Sequence, residues 1–92
     1  MKKKMIKLTE LNPGQKLTVK KIKVDKSIRR RLMDIGMVEG TIVECALKSP
    51  FNDPIAYFIR GALIAIRQED TDKVYGILEE GNHEKKVLET SK

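Results

Sequence analysis

Residues 27–40 constrain this chain more than any other stretch, because a helix, its stop and the approach to a strand all have to fit inside them. Ile28, Leu32 and Ile35 recur at the spacing of one helical face, and Arg29, Arg30 and Met33 fall elsewhere on the turn, which predicts a short amphipathic helix. Ser27 is placed to cap its start, and Gly36 to end it in a left-handed conformation. Gly40 turns the chain again, and 41–47 then alternates as a strand, with Thr41, Val43, Cys45 and Leu47 on one face. One short helix cannot cover a parallel sheet, so the strands of this chain have to pair antiparallel.

The flanking sequence supplies those strands. Pro13 and Gly14 reverse the backbone after Leu8 and Leu11, which read as buried anchors. Residues 15–24 form a strand in two phases, Leu17 and Val19 and then Ile22 and Val24, so a bulge is expected near Lys20 and Lys21. The loop 49–54 carries Phe51 at its tip and leads into 55–60; Gly61 turns that strand into 63–67. Asp70, Thr71 and Asp72 are placed to cap a single helical turn before a last strand, 74–78, which Gly76 is expected to loosen. The count is four or five strands and one short helix, a mainly β small antiparallel barrel. With 92 residues there is one domain, over 1–80; residues 1–4 are expected to fray, and 81–92, with Val87 and Leu88 as its large apolar residues, to form a disordered polar tail.

Charge is unevenly spread: residues 1–31 hold 12 Lys/Arg and 2 acidic residues, whereas 32–92 hold 7 and 11. A basic lobe suits nucleic acid, an acidic membrane leaflet or an acidic protein face, and a solvated surface explains the same residues. Both tyrosines and both phenylalanines lie after residue 50, so no aromatic side chain is interleaved with the lysines for base stacking. Catalytic groups are scarce. His83 stands alone in the polar tail, and Cys45 reads as a small core residue, since a lone thiol makes no internal disulfide. One Cys and one His cannot supply a zinc site, and helix capping accounts for Glu69, Asp70 and Asp72. No phosphate-binding glycine loop is present. The apolar run 63–66 is far too short to span a bilayer, and Lys7 interrupts any signal-peptide core, so a cytoplasmic protein without membrane insertion is expected.

Four groups of residues together carry a resemblance: Leu11, Pro13 and Gly14; Arg31, Leu32, Ile35, Gly36, Met37, Gly40 and Thr41; 50–54; and Gly61, Leu63, Ala65 and Arg67. In this combination the chain resembles the FeoA family, small cytoplasmic accessory proteins of bacterial ferrous iron uptake, from about Ile6 to Ile77. It departs from the family pattern at Asn52, Thr71 and Gly76. The resemblance implies an SH3-like barrel of about five strands with one inserted α-helix. It also implies a non-enzymatic role on the GTPase part of the membrane transporter FeoB, supporting its assembly or activity at the inner face of the membrane.

Arg29, Arg30, Met37 and Phe51 are the candidate partner-binding residues, with Arg29 and Arg30 projecting into solvent and Arg31 lying along the sheet. Gly14, Gly36, Gly40 and Gly61 are structural turns. No cofactor is expected. The alternatives left open are a ferrous or other transition-metal ion bound by the barrel, a basic nucleic-acid-binding barrel using Lys16, Lys20, Lys21, Lys23 and Arg29 to Arg31, and self-association through an open edge strand.

Overall fold

In chain order the computed structural model, which describes residues 4–51 and 53–79, contains β1 (Met5–Lys7), β2 (Lys16–Ile22), α1 (Lys26–Asp34), β3 (Ile42–Lys48), β4 (Ile55–Ile59), β5 (Ala62–Ile66), α2 (Gln68–Thr71) and β6 (Val74–Glu79). The strands form one antiparallel sheet in the order β1-β6-β2-β3-β4-β5. It coils without closing, and β1 and β5 are its two edges. The sixth strand beyond the expected five is β1. Its three residues are too few to show a period, and it pairs with β6 from the other end of the chain, Met5 opposite Ile77.

The core gathers one face of each element, including Leu17, Val43, Cys45, Ile55, Tyr57 and Val74, with Leu8 and Leu11 buried as anchors beneath the first turn. The register of β2 against β6 shifts between Val19 and Lys21, and this bulge returns Ile22 to the core after Leu17 and Val19. A second shift, between Cys45 and Leu47 in β3, has no signature in the local sequence. It turns Leu47 outward, 55% exposed, where unbroken alternation placed it on the Cys45 face.

The helix α1 buries Leu32 and packs Ile28 and Ile35 against the core. Its N-cap is Asp25 rather than Ser27: the Asp25 carboxylate accepts from the Ile28 backbone N–H at 3.3 Å, and Ser27 sits inside the first turn, donating its hydroxyl to the same oxygen. At the other end Gly36 has φ 91°, its N–H donates to Met33 O at 2.9 Å, and the Met37 N–H donates to Leu32 O at 2.9 Å. These are the two bonds of a Schellman stop, whose usual companion is an apolar contact between the residue after the glycine and the last turn. Met37 is that residue, fully buried in the same core cluster as Leu32.

Two other expectations are corrected. The turn α2 starts before Asp70 and Thr71, and no side chain of its own caps it; the Asp53 carboxylate accepts from the Gln68 N–H at 2.9 Å. Gly76 does not loosen β6, because a Cβ there would collide with the Thr18 carbonyl oxygen and the Leu17 side chain, so the bare backbone lets β6 lie close on β2. Gly14, Gly40 and Gly61 also have positive φ. At the β4–β5 hairpin both turn residues do, Arg60 at 50° and Gly61 at 88°, which is the two-residue turn that matches strand twist. The expected tail, 81–92 with His83, lies outside the described residues. Among those described, no helix is long and apolar enough to cross a membrane.

Candidate partner-binding surface

Of the four candidate contact residues, two stand on the surface as open side chains. Phe51 is 89% exposed. Its loop is braced on the far side of the tip, where the Asp53 N–H donates to Ser49 Oγ at 2.8 Å and the Asp53 carboxylate holds the first N–H of α2. An aromatic ring that is exposed on a braced loop loses little freedom when a partner covers it.

Arg30 is exposed on the outer face of α1, next to a shallow depression lined by Lys26, Arg29, Arg30, Met33 and Asp34. Arg29 does not project freely: its guanidinium donates to Ile22 O at 2.8 Å and faces Glu39 at 3.8 Å, joining the helix to the end of β2. Met37 is buried in the helix stop and presents nothing to a partner. Met33, 52% exposed among these arginines, is the apolar centre of the patch instead. Its signal was visible in the sequence as an apolar residue off the Ile28–Leu32–Ile35 face.

Arg31 pairs with Asp70, Nη2 to Oδ2 2.7 Å, so that α1 is joined to α2. The Asp70 side chain is 11% exposed and the Arg31 side chain 64%, so the pair is sheltered on the acid side only. The other carboxylates expected as caps are held separately. Glu69 lies 3.3 Å from Arg67, and Asp72 faces Lys7 at 3.8 Å. Among the described residues no group of three or more His, Cys, Asp and Glu is placed to hold a metal ion. The lysines in and just after β2 are also divided: Lys16 stands between Glu44 and Glu79 in the sheet, and Lys23 lies 6.0 Å from the centre of the Tyr75 ring.

Two buried groups of the interior are shifted toward their protonated forms. Burial pushes the Cys45 thiol up, with Lys48 opposing and Glu44 adding to the shift. Burial pushes the Tyr57 hydroxyl up to about 12, opposed by the neighbouring Thr71 hydroxyl and reinforced by Cys45. Thr71 donates its own proton toward the Arg67 and Gln68 carbonyls, at 3.5 and 3.4 Å, and Tyr57 Oη has no well-formed partner.

A third exposed area was not foreseen. On the outer face of the β4–β5 hairpin Phe58 and Leu63 are directly opposed, 43% and 57% exposed, and Ile42 on β3 is 51% exposed. Phe58 falls between the buried Tyr57 and Ile59, so alternation marks it as outward without marking it as bare.

The family model of the FeoA domain matches residues 6–77. Over 72 residues the chain is 31% identical to an Fe(2+) transport protein A/Fe(2+) transporter FeoB fusion protein of Porphyromonas gingivalis. That match takes in 75% of this chain and 8% of the fusion protein, so the chain spans a small part of its relative's length. The solved FeoA-like protein of Clostridium acetobutylicum has TM-score 0.71 and 33% identity, over 86% of this chain and 88% of that one. A zinc-complexed FeoA of Stenotrophomonas maltophilia, described as an SH3 domain protein, has the same fold at TM-score 0.62 and 23% identity, over 80% and 89% of the two chains. The open six-stranded sheet is accordingly SH3-like.

Proposed function

Because this chain belongs to the FeoA family, we propose that it is a non-enzymatic accessory protein of ferrous iron uptake that docks on the cytoplasmic GTPase part of a FeoB-type transporter. The observation that carries this reading is the Porphyromonas gingivalis protein in which a segment 31% identical to this chain is joined covalently to FeoB. A covalent link keeps two modules at high effective concentration, so its presence in a relative favours a working contact between them. Two features of the surface support the reading. Phe51 offers an exposed apolar anchor, and Arg30 with Lys26 and Asp34 around Met33 offers a charged rim about an apolar centre. In this reading the protein is cytoplasmic, is held at the inner face of the membrane by the transporter, and supports its assembly or activity.

Binding of the purified chain to the FeoB cytoplasmic region, measured by calorimetry, tests the docking. Ferrous iron uptake in cells lacking the protein tests the role. Saturable binding that Arg30→Glu weakens, together with reduced uptake, is the expected result; no binding and normal uptake across iron and oxygen conditions would exclude it.

A further inference from the structure

The bulge in β2 places two lysines in succession on the outside of the sheet. Val19 and Ile22 are both buried in the core, so Lys20 and Lys21 between them are both exposed, where unbroken alternation would turn one of them inward. Beyond the end of β2 the Lys23 N–H donates to Lys73 O at 2.9 Å, which continues by one residue the pairing of Lys21 with Tyr75 and of Ile22 with Val74. Lys23 and Lys73 therefore lie opposite each other on the outer face, and both are exposed. From the other side of β6, β1 sets Lys7 against Tyr75.

Lys7, Lys20, Lys21, Lys23 and Lys73 thus surround the half-buried Tyr75, with Lys23 Nζ 6.0 Å from the centre of its ring. Neighbouring strands are about 4.8 Å apart, so Lys7 and Lys21 stand roughly 10 Å apart across Tyr75, on the surface of a sheet and not in a cleft. Three acids adjoin these lysines in the chain. Asp72 faces Lys7 at 3.8 Å, Asp25 is the N-cap of α1, and Glu10 lies in the turn after β1, so positive charge remains in excess. The far end of the same face is balanced, because Lys16 there stands opposite Glu44 and Glu79.

We infer that this lysine face of β1, β6 and β2 rests on the anionic phospholipid headgroups of a membrane surface. A cluster of four or more cationic side chains is what such a surface attracts, at about a fivefold gain in binding for each. Strands hold these charges in one layer, which suits a planar array of headgroups. All five are lysines, compact point charges without the fork that reads a single phosphate or base from two sides. Tyr75 gives the centre an amphipathic ring of the kind that sits at headgroup level. Half-buried and next to Lys23, that ring is a poor platform for a stacked base, which sets lipid above nucleic acid. A polybasic patch without a lipid chain or inserted helix gives weak, reversible attachment. Such attachment confines the chain to the plane of a membrane and raises its effective concentration near any partner there. It does not depend on docking to FeoB.

Co-sedimentation of the full chain with vesicles of equal parts phosphatidylglycerol and phosphatidylcholine tests the face, with vesicles of phosphatidylcholine alone beside them. The vesicles carry no protein, so a failure here and a failure of transporter docking are told apart. The expected result is binding to the anionic vesicles only, most of it lost when salt rises from about 0.1 to about 1 M and the Debye length falls from about 10 to about 3 Å. Lys21→Gln with Lys23→Gln should leave the circular dichroism spectrum unchanged and lower the partition coefficient about twentyfold. Lys20→Gln with Lys73→Gln should do the same, and makes the test if the first pair unfolds the chain. Lys16→Gln with Arg67→Gln removes as much charge from elsewhere and should cost less than about threefold. Equal binding to both kinds of vesicle, binding to neither, or equal losses from the face and control variants would overturn the proposal. Tighter binding to a mixed-sequence oligonucleotide than to the anionic vesicles would also overturn it, and would assign the face to nucleic acid.

Discussion

The stop of α1 and the turn of α2 are both short helical features, and they are built in opposite ways. The α1 stop uses neighbours only: Met33, Leu32, Gly36 and Met37 make its bonds within six positions of one another. The α2 turn depends on residues brought from elsewhere, Asp53 from the Phe51 loop and Arg31 from α1. A locally encoded feature can be read from spacing, and its failure stays local in cause. A feature assembled from distant groups reads as something else in the sequence, and it transmits changes between the surfaces that supply it.

The largest effect is expected at Gly36. Valine there would have to adopt φ 91°, and its Cβ would stand 2.5 Å from Arg60 Cδ. The backbone penalty and the displaced arginine together should cost roughly 2–3 kcal/mol in denaturant unfolding, a large part of a small domain's stability. Unchanged stability would mean that the helix stop is not locally fixed, and would remove one side of the comparison.

The same contrast explains what was legible in the sequence. The helix, its glycine stop, the β2 bulge and the hairpins follow from short-range period and turn chemistry, and they stand where spacing put them. Asp25 and Ser27 are equally good caps by type; only the extended backbone of Asp25, φ −75° and ψ 175°, decides between them. Leu47 faces outward because β3 is bulged against β4, a property of the pair and not of either strand. Asp70 looked like a cap because its partner, Arg31, is distant in sequence. Met37 was the avoidable error: an apolar residue directly after a helix-ending glycine usually folds back on the last turn.

Arg31→Ala should rank second. It leaves the Asp70 carboxylate nearly buried without its cation, but the arginine end of the pair is open to water, so the loss should be roughly 1–3 kcal/mol, less than for a fully buried pair. A double-mutant cycle with Asp70→Asn should show coupling between the two residues on the order of 1 kcal/mol or more. Additive effects would mean that α1 and α2 are independent, and that the contrast between local and assembled features has been overdrawn.

Asp53→Ala should come third, at about 1 kcal/mol, the usual worth of a side chain that satisfies a helix N-terminus. Its sharper readout is hydrogen exchange, because the amide of Gln68 should lose protection while that of Met37 keeps it. Equal loss at both would show the two features unfolding as one unit.

Phe51→Ala should have the smallest effect on folding. At 89% exposure the ring contributes almost nothing to the core, so the melting temperature should move by no more than surface substitutions usually cause, within about 0.5 kcal/mol of stability. Binding to the FeoB cytoplasmic region is the separate measurement, and if Phe51 is an anchor it should weaken by on the order of 1–3 kcal/mol. The comparison then gives a second test on the same surface. Asp53 braces the loop that presents the ring, so Asp53→Ala should weaken binding through lost preorganisation even with the ring intact. Combining the two substitutions should cost less than their sum, because once the ring is gone an unbraced loop has no anchor left to misplace. Full additivity would assign Phe51 and Asp53 to separate contributions, and a Phe51→Ala variant that binds at full affinity would leave the Arg30 and Met33 face of α1 as the contact surface.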